Sequence, residues 1–371
     1  MKARHLLLPF LWFLAFGPLS AETGSLVVPA VSVPPNADVR HAAAYRLPAS
    51  DQGVVLRHGD GPGQCDFQGA RDVWAWEDHG TYYMHYDGAG PKGWLACLAT
   101  SKDLTNWTKL GPVLQLGKPG EDDSASASYG TTYLDGKKWH MFCLGAPNAS
   151  PAPARVPSPP YLAMKAISDS PGGPWVKQPE VLPFRPGDIS ATNYGAASVV
   201  VASPGMIIKS GHEYLMFVSG GGYAAKTNQE PYGNVCIART KDLNGKWIFD
   251  PKPMLPWNET CENSSLYFES ANQTWFLFTN HIDGGVGCTV SIWVYWTKDL
   301  NHWDAKHKAV VLDGANCHWS KTCIGLPSAL KVGDRLAVLY NAPGGNSTDH
   351  MNRDIGLAWL KLPLISPPDP Q

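Results

Sequence analysis

Apolar and polar positions alternate most clearly between Arg71 and Tyr86. The pattern predicts two β-strands joined by a tight Asp78-His79-Gly80 turn, the second strand rich in aromatic residues. Gly93 to Thr100 reads as a third, apolar strand. Ser101-Lys102-Asp103-Leu104-Thr105-Asn106-Trp107 reads as a turn, and Leu110 to Leu116 as a fourth strand. Four antiparallel strands of falling burial are one repeating unit of a radial β-architecture.

The same phrase returns down the chain. The turn Ser101-Lys102-Asp103-Leu104 recurs as Thr240-Lys241-Asp242-Leu243 and Thr297-Lys298-Asp299-Leu300, each leading to a tryptophan (Trp107, Trp247, Trp303), and a weaker copy runs from Ser168-Asp169 to Trp175. The opening hairpin recurs at Tyr133-Leu134-Asp135-Gly136, at Ile208-Lys209-Ser210-Gly211, at Asn272-Gln273-Thr274-Trp275 and at Val332-Gly333-Asp334. Asp354 to Leu362 supplies a third strand to the last unit. The pattern predicts an all-β chain, a five-bladed β-propeller with four antiparallel strands per blade.

The ends read differently. Lys2 and Arg4 precede an apolar run from Leu6 to Phe16, and small residues follow up to Ala21. Residues 1–21 therefore read as a secretory signal peptide, because the run is too short to span a bilayer. Residues 22–59 are proline-rich, and are expected to wrap the outside or close the ring. Residues 60–371 form the propeller. Proline clusters mark Pro147 to Pro160 as a loop within the second blade. Pro183 to Thr192 and Gly220 to Gly233 read as further loops.

Composition narrows the class. A formal charge of −2 without basic runs argues against nucleic acid as a partner, and no later segment is apolar and long enough for a membrane span. Eight cysteines in an exported chain allow disulfides, with Cys317–Cys323 and Cys261–Cys288 as the pairs to expect; Cys97, Cys143 and Cys236 read as buried thiols. Sequons start at Asn106, Asn148, Asn258, Asn263, Asn272 and Asn346.

An acidic residue on the innermost strand, then a glycine turn, then Tyr82-Tyr83, and later Ser101-Lys102-Asp103-Leu104 before Trp107, resembles the five-bladed propeller glycosidases. These are glycoside hydrolase family 43 and its relatives, families 32, 62, 117 and 130. The resemblance spans roughly Cys65 to Leu364 and implies a site where the innermost strands begin, at the central channel. It implies that Asp72, beside Arg71 and eight residues before Gly80, is the general base. Glu262 is the match for the general acid, with Glu259 and Glu269 as competitors. An aspartate that tunes the acid belongs on the third blade, but the same count back from Gly211 reaches Ser203. Ser128 holds that slot on the second blade. Asp188, on the loop into the third blade, is the candidate stand-in; otherwise it is a solvated loop aspartate.

Hydrolysis of a glycoside needs one protonated carboxyl and one carboxylate held in different fields. Arg71, Trp74, Ser128, Ser203, His318 and Trp319 are the expected sugar-binding residues. Inter-blade packing competes for Trp74 and Trp76, and His318 and His281 are secondary acids. Adjacent strand residues face opposite ways, so Arg71 is not expected to pair with Asp72. No cofactor is expected, though some relatives hold a channel calcium. The expected function is a secreted glycoside hydrolase acting on a poly- or oligosaccharide. The alternative is a carbohydrate-binding propeller that has lost part of its carboxylate set.

Overall fold

The computed structural model describes residues 43–47, 49–191, 193, 196–224, 231–283 and 288–367. The expected signal peptide and residues 22–42 lie outside the described residues. Among the described residues the chain is all-β, with helix confined to three single turns of 3-10 type.

The strands run in chain order. The N-terminal segment gives β1 (Tyr45–Arg46) and β2 (Ser50–Leu56). A first set follows as β3 (Ala70–Asp78), β4 (Thr81–Gly90), β5 (Gly93–Ser101) and β6 (Trp107–Pro112). A second is β7 (Ser126–Asp135) and β8 (Lys138–Ala146), a small hairpin of β9 (Asn148–Ala149) with β10 (Pro157–Ser158), then β11 (Leu162–Ser168) and β12 (Val176–Lys177). The third is β13 (Ala196–Ser203), β14 (Ile207–Ser210), β15 (Glu213–Ala224), β16 (Pro231–Thr240) and β17 (Ile248–Phe249). The fourth is β18 (Cys261–Glu269), β19 (Thr274–Asp283), β20 (Cys288–Thr297) and β21 (Lys308–Leu312). The last is β22 (Gly325–Val332), β23 (Arg335–Ala342) and β24 (Asp354–Lys361).

Within each set neighbouring strands pair antiparallel. A parallel contact of β5 with β7 merges the first two sets into one eight-stranded sheet. β2 pairs antiparallel with β24 and stands as the fourth strand beside β22, β23 and β24. Two expected boundaries move. The fourth strand of the first set is Trp107–Pro112 rather than Leu110 to Leu116. Within the span Gly220 to Gly233, residues 220–224 and 231–233 are strand rather than loop, because β15 and β16 pair from Tyr214 opposite Thr240 out to Tyr223 opposite Pro231; residues 225–230 lie outside the described residues.

Local chemistry explains the repeats. His79 and Gly80 both have positive φ (47° and 71°), the geometry of a two-residue hairpin turn whose twist matches the strands. In the outer turn the Ser101 hydroxyl accepts from the Leu104 amide at 2.9 Å, and the Asp103 carboxylate accepts from the Thr105 and Asn106 amides. Thr240 and Thr297 accept from Asp242 and Asp299 in the same way. The polar residues close the turn, so the leucine can point inward; Leu104 and Leu243 are fully buried.

Cores lie between successive sets. Trp74, Trp76 and Leu98 pack with Trp139, Met141 and Trp175; Phe142 and Ala163 pack with Met216 and Trp247; Leu215 and Phe217 pack with Leu266 and Leu277. Phe276 and Val294 pack with Val338 and Leu360, and Leu339 and Leu357 pack back onto Val73, Met84 and Tyr86 of the first set. The last set thus shares a core with the first. The Cys317 thiol is free, 3.5 Å from the Tyr340 hydroxyl, so the expected bridge to Cys323 is not formed; the Cys288 side chain lies outside the described residues.

Candidate active site

The innermost strands repeat one irregularity. In β3, β7, β18 and β22 the pairing register slips between Arg71 and Trp74, Ala127 and Gly130, Glu262 and Ser265, and Gly325 and Ser328. Each slip is a bulge, which re-aims a side chain out of the sheet's alternation. The bulge residues Asp72, Ser128, Asn263 and Leu326 all line one cavity of about 350 Å³. Asp72, Asn263 and Leu326 adopt positive φ (55°, 61°, 55°), a region that Asp and Asn enter readily and Leu does not. Arg71, Ser203 and Glu262, each one residue earlier on its strand, line the same cavity.

The bulge overturns the expectation for Arg71. With Asp72 in the left-handed region the two side chains meet instead of facing apart, and Arg71 Nε donates to Asp72 Oδ1 at 3.0 Å. Register also corrects the third set. Ser203 lies opposite Ser219 as Arg71 lies opposite Asp87, so Pro204 occupies the position of Asp72. The eight-residue count missed by one, because the glycine is second in the His79-Gly80 turn and first in Gly211-His212; it misses by one on the second set too, where Gly136 is first in its turn and Tyr129, not Ser128, stands where Asp72 does. The slot holds no aspartate in either count.

A third carboxyl comes from elsewhere. Asp87 on β4 is buried against the cavity, hydrogen-bonded to the Asp72 carboxyl, with the Tyr129 amide donating to its Oδ1. Burial, then the charge of Asp72, pushes its pKa well above the usual carboxylate range. Glu262 is likewise raised from 4.5 to about 7, by burial first and the Asp72 charge second. The Arg71 charge and the neighbouring Asn280 amide oppose that shift. Asn280 in turn accepts from Asn263 Nδ2 at 3.1 Å and the Leu326 amide at 2.9 Å, which fixes this wall.

Trp94, with Arg71 stacked 5.0 Å from its ring centre, completes the wall with Tyr129, Tyr161, His350 and Arg353. Sequence reasoning missed these residues and Asp87. Asp87 had a signal: a lone charge inside an apolar strand, followed by Gly88-Ala89-Gly90. His350 and Arg353 follow a polar loop after β23 and had none.

Four expected residues stand away from the cavity. Asp188 caps a helical turn, accepting from the Arg185 amide at 2.8 Å, and pairs with Lys246 at 2.9 Å. Trp74 is buried between sets and donates to Thr132 Oγ1 at 3.0 Å. His318 is exposed and Trp319 donates to Tyr340 at 2.7 Å; both help lock the N-terminal strand, since Asp51 of β2 accepts from the His318 amide and the Tyr340 hydroxyl. His281 bonds Tyr295 beside the buried Glu259–Lys308 ion pair, and Glu269 accepts from Tyr267 and the Leu364 amide. Asn263, a sequon residue, is buried and shielded from a glycan. Among the described residues no three acidic, histidine or cysteine side chains converge as a metal-holding group.

No family model matches the chain, and no curated protein is similar to it in sequence. Solved structures do match. It is similar to the catalytic domain of a family 62 α-L-arabinofuranosidase from Coprinopsis cinerea, over 85% of this chain and 97% of that one, with TM-score 0.59 and 11% identity. A family 117 glycoside hydrolase from Zobellia galactanivorans matches over 84% and 90%, with TM-score 0.57 and 14% identity. A family 43 enzyme from Xanthomonas citri, solved with xylotriose, matches over 84% and 89%, with TM-score 0.52 and 13% identity. The chain has the fold of these glycoside hydrolases.

Proposed function

We propose that the chain is an exported glycoside hydrolase in which five blades surround a channel and the Asp72–Glu262 cavity cleaves a poly- or oligosaccharide. Five successive strand sets, with cores shared from each to the next and from the last to the first, support the ring. The pairing of β2 with β24 supports closure by the N-terminal strand.

One observation carries the activity. Two carboxyls share one cavity in opposite surroundings: Asp72 is ion-paired to Arg71, while Glu262 is pushed up to about 7. That is the separation glycoside cleavage requires. Glu262 keeps its proton at mildly acidic pH and delivers it to the departing glycosidic oxygen. The Asp72 carboxylate acts at the anomeric carbon, directly or through a water. Asp87 shares a hydrogen bond with Asp72 and orients it. The rival reading, a propeller that only binds sugar, rests on the missing aspartate of the third blade; Asp87 supplies a third carboxyl, beside Asp72 rather than beside Glu262.

Turnover on a panel of aryl glycosides and polysaccharides tests the proposal, with the product anomer followed by proton NMR to separate inversion from retention. Sugar binding without turnover across the panel would establish the rival.

A further inference from the structure

The two guanidinium groups of the cavity wall are short of ionic partners. Among the described residues, its charged or titratable members besides tyrosine are Arg71, Arg353, Asp72, Asp87, Glu262 and His350. Asp87 and Glu262 are both driven toward their neutral forms, chiefly by burial. Burial thus disfavours the charge of two of the three carboxyls, while both guanidinium groups keep theirs.

Both cations are fixed in place. Arg353 is 2% exposed, and its donors go to neutral oxygens and a sulfur: Nε to the Asp349 carbonyl at 3.0 Å, Nη1 to Asn341 Oδ1 at 3.0 Å, Nη2 to Cys323 Sγ at 2.9 Å. No carboxylate among the described residues forms a salt bridge with it. Burying a charge without an ion partner is costly. Arg71 spends Nε on Asp72 and Nη1 on His350 Nδ1 at 2.8 Å, and Nη2 has no hydrogen-bond partner among the described residues. Guanidinium can only donate, so Nδ1 of His350 is the acceptor and its proton sits on Nε2. That end of the cavity thus offers the Arg71 Nη2 edge and an imidazole N–H. The imidazole reports the local field as well: the Arg71 charge, then burial, lowers its pKa to about 4.

We propose that the sugar bound in this cavity carries an anionic group, a carboxylate or a sulfate, seated against Arg71 and Arg353 on the side marked by His350. The proposal rests on the reading of the cavity as a glycoside site and names the class of its substrate. A neutral sugar would leave Arg353 without an ionic partner and the Arg71 Nη2 edge unfilled, whereas an oxyanion meets both with charge-assisted hydrogen bonds.

The test uses the wild-type protein in a buffer free of carboxylates and phosphate. Binding of glucuronate, galacturonate and galactose 6-sulfate is measured by ligand-observed NMR against glucose and galactose. Nitrophenyl glucuronides and galacturonides are compared with the neutral glycosides for turnover. Anionic sugars should bind about 10–100-fold better than their neutral parents, in keeping with a hydrogen bond to a charged group. The margin should shrink as salt is raised and collapse in Arg71→Met. Uronate against sulfate ester shows which anion is preferred. Equal or better binding of the neutral sugars, or no binding of either, overturns the proposal. Cleavage of neutral glycosides with no gain from the acid group would sink this inference and leave the hydrolase reading standing. Preference for anions without cleavage of any glycoside would do the reverse.

Discussion

Replacing Glu262 by Gln tests the acid directly, through stability as well as turnover. In the unfolded chain this carboxyl titrates near its ordinary value of 4.5, and in the folded chain at about 7. Between those values the folded protein holds a proton that the unfolded chain has lost. Stability attributable to Glu262 is therefore full below 4.5 and is lost as pH rises through about 7. A shift of about 2.5 units at about 1.36 kcal/mol each gives roughly 3 kcal/mol. Partial exposure of Glu262 at the cavity wall reduces this to about 2 kcal/mol.

Glu262→Gln is an uncharged near-isostere and does not titrate. In urea denaturation, the variant should gain on the wild type by about 2 kcal/mol between about pH 4.5 and pH 8. Turnover of glycosides with poorly acidic leaving groups should fall roughly 10²–10⁴-fold, whereas a dinitrophenyl glycoside, whose leaving group needs no proton, is largely spared. Parallel stability curves for the two proteins, together with an equal loss on both substrates, would refute both the elevated pKa and the acid role.

Three further outcomes follow from the geometry. Asp72→Asn keeps a residue that tolerates φ of 55°, so the chain should still fold, with the melting temperature lowered by the loss of the Arg71 ion pair, while turnover per folded molecule drops roughly 10²–10⁴-fold; intact turnover per folded molecule would place the chemistry elsewhere. Asp87→Asn should fold normally, because burial already disfavours the charge of the native carboxyl, while Asp87→Leu leaves the part-buried Tyr129 amide without its acceptor and should cost about 1–3 kcal/mol in denaturant unfolding. Trp247→Ala removes a fully buried ring that meets Phe142 edge-on at 5.5 Å between the second and third sets, and should cost about 3–5 kcal/mol by the same measurement.

The parts of this protein that were legible in the sequence are those whose cause is local. A hairpin turn needs a glycine at a fixed offset, and the Ser/Thr-Lys-Asp-Leu turn closes on its own hydroxyl and carboxylate. Both therefore leave a spacing that can be read four or five times along the chain. Asp72 could be singled out by its count from Gly80; Glu262 followed only from the resemblance, because the hairpin after it has no turn glycine to count from. What the tertiary structure decided involves residues distant in sequence. Asp87 reaches Asp72 only because β4 folds back on β3, and Arg353 and His350 reach Arg71 only because the last set packs against the first. Strand alternation separated Arg71 from Asp72, and a bulge with one positive φ reunited them. The raised pKa of Glu262 belongs to the same class: burial and the charge of a carboxylate 190 positions away create it, and neither is written in the residues beside it.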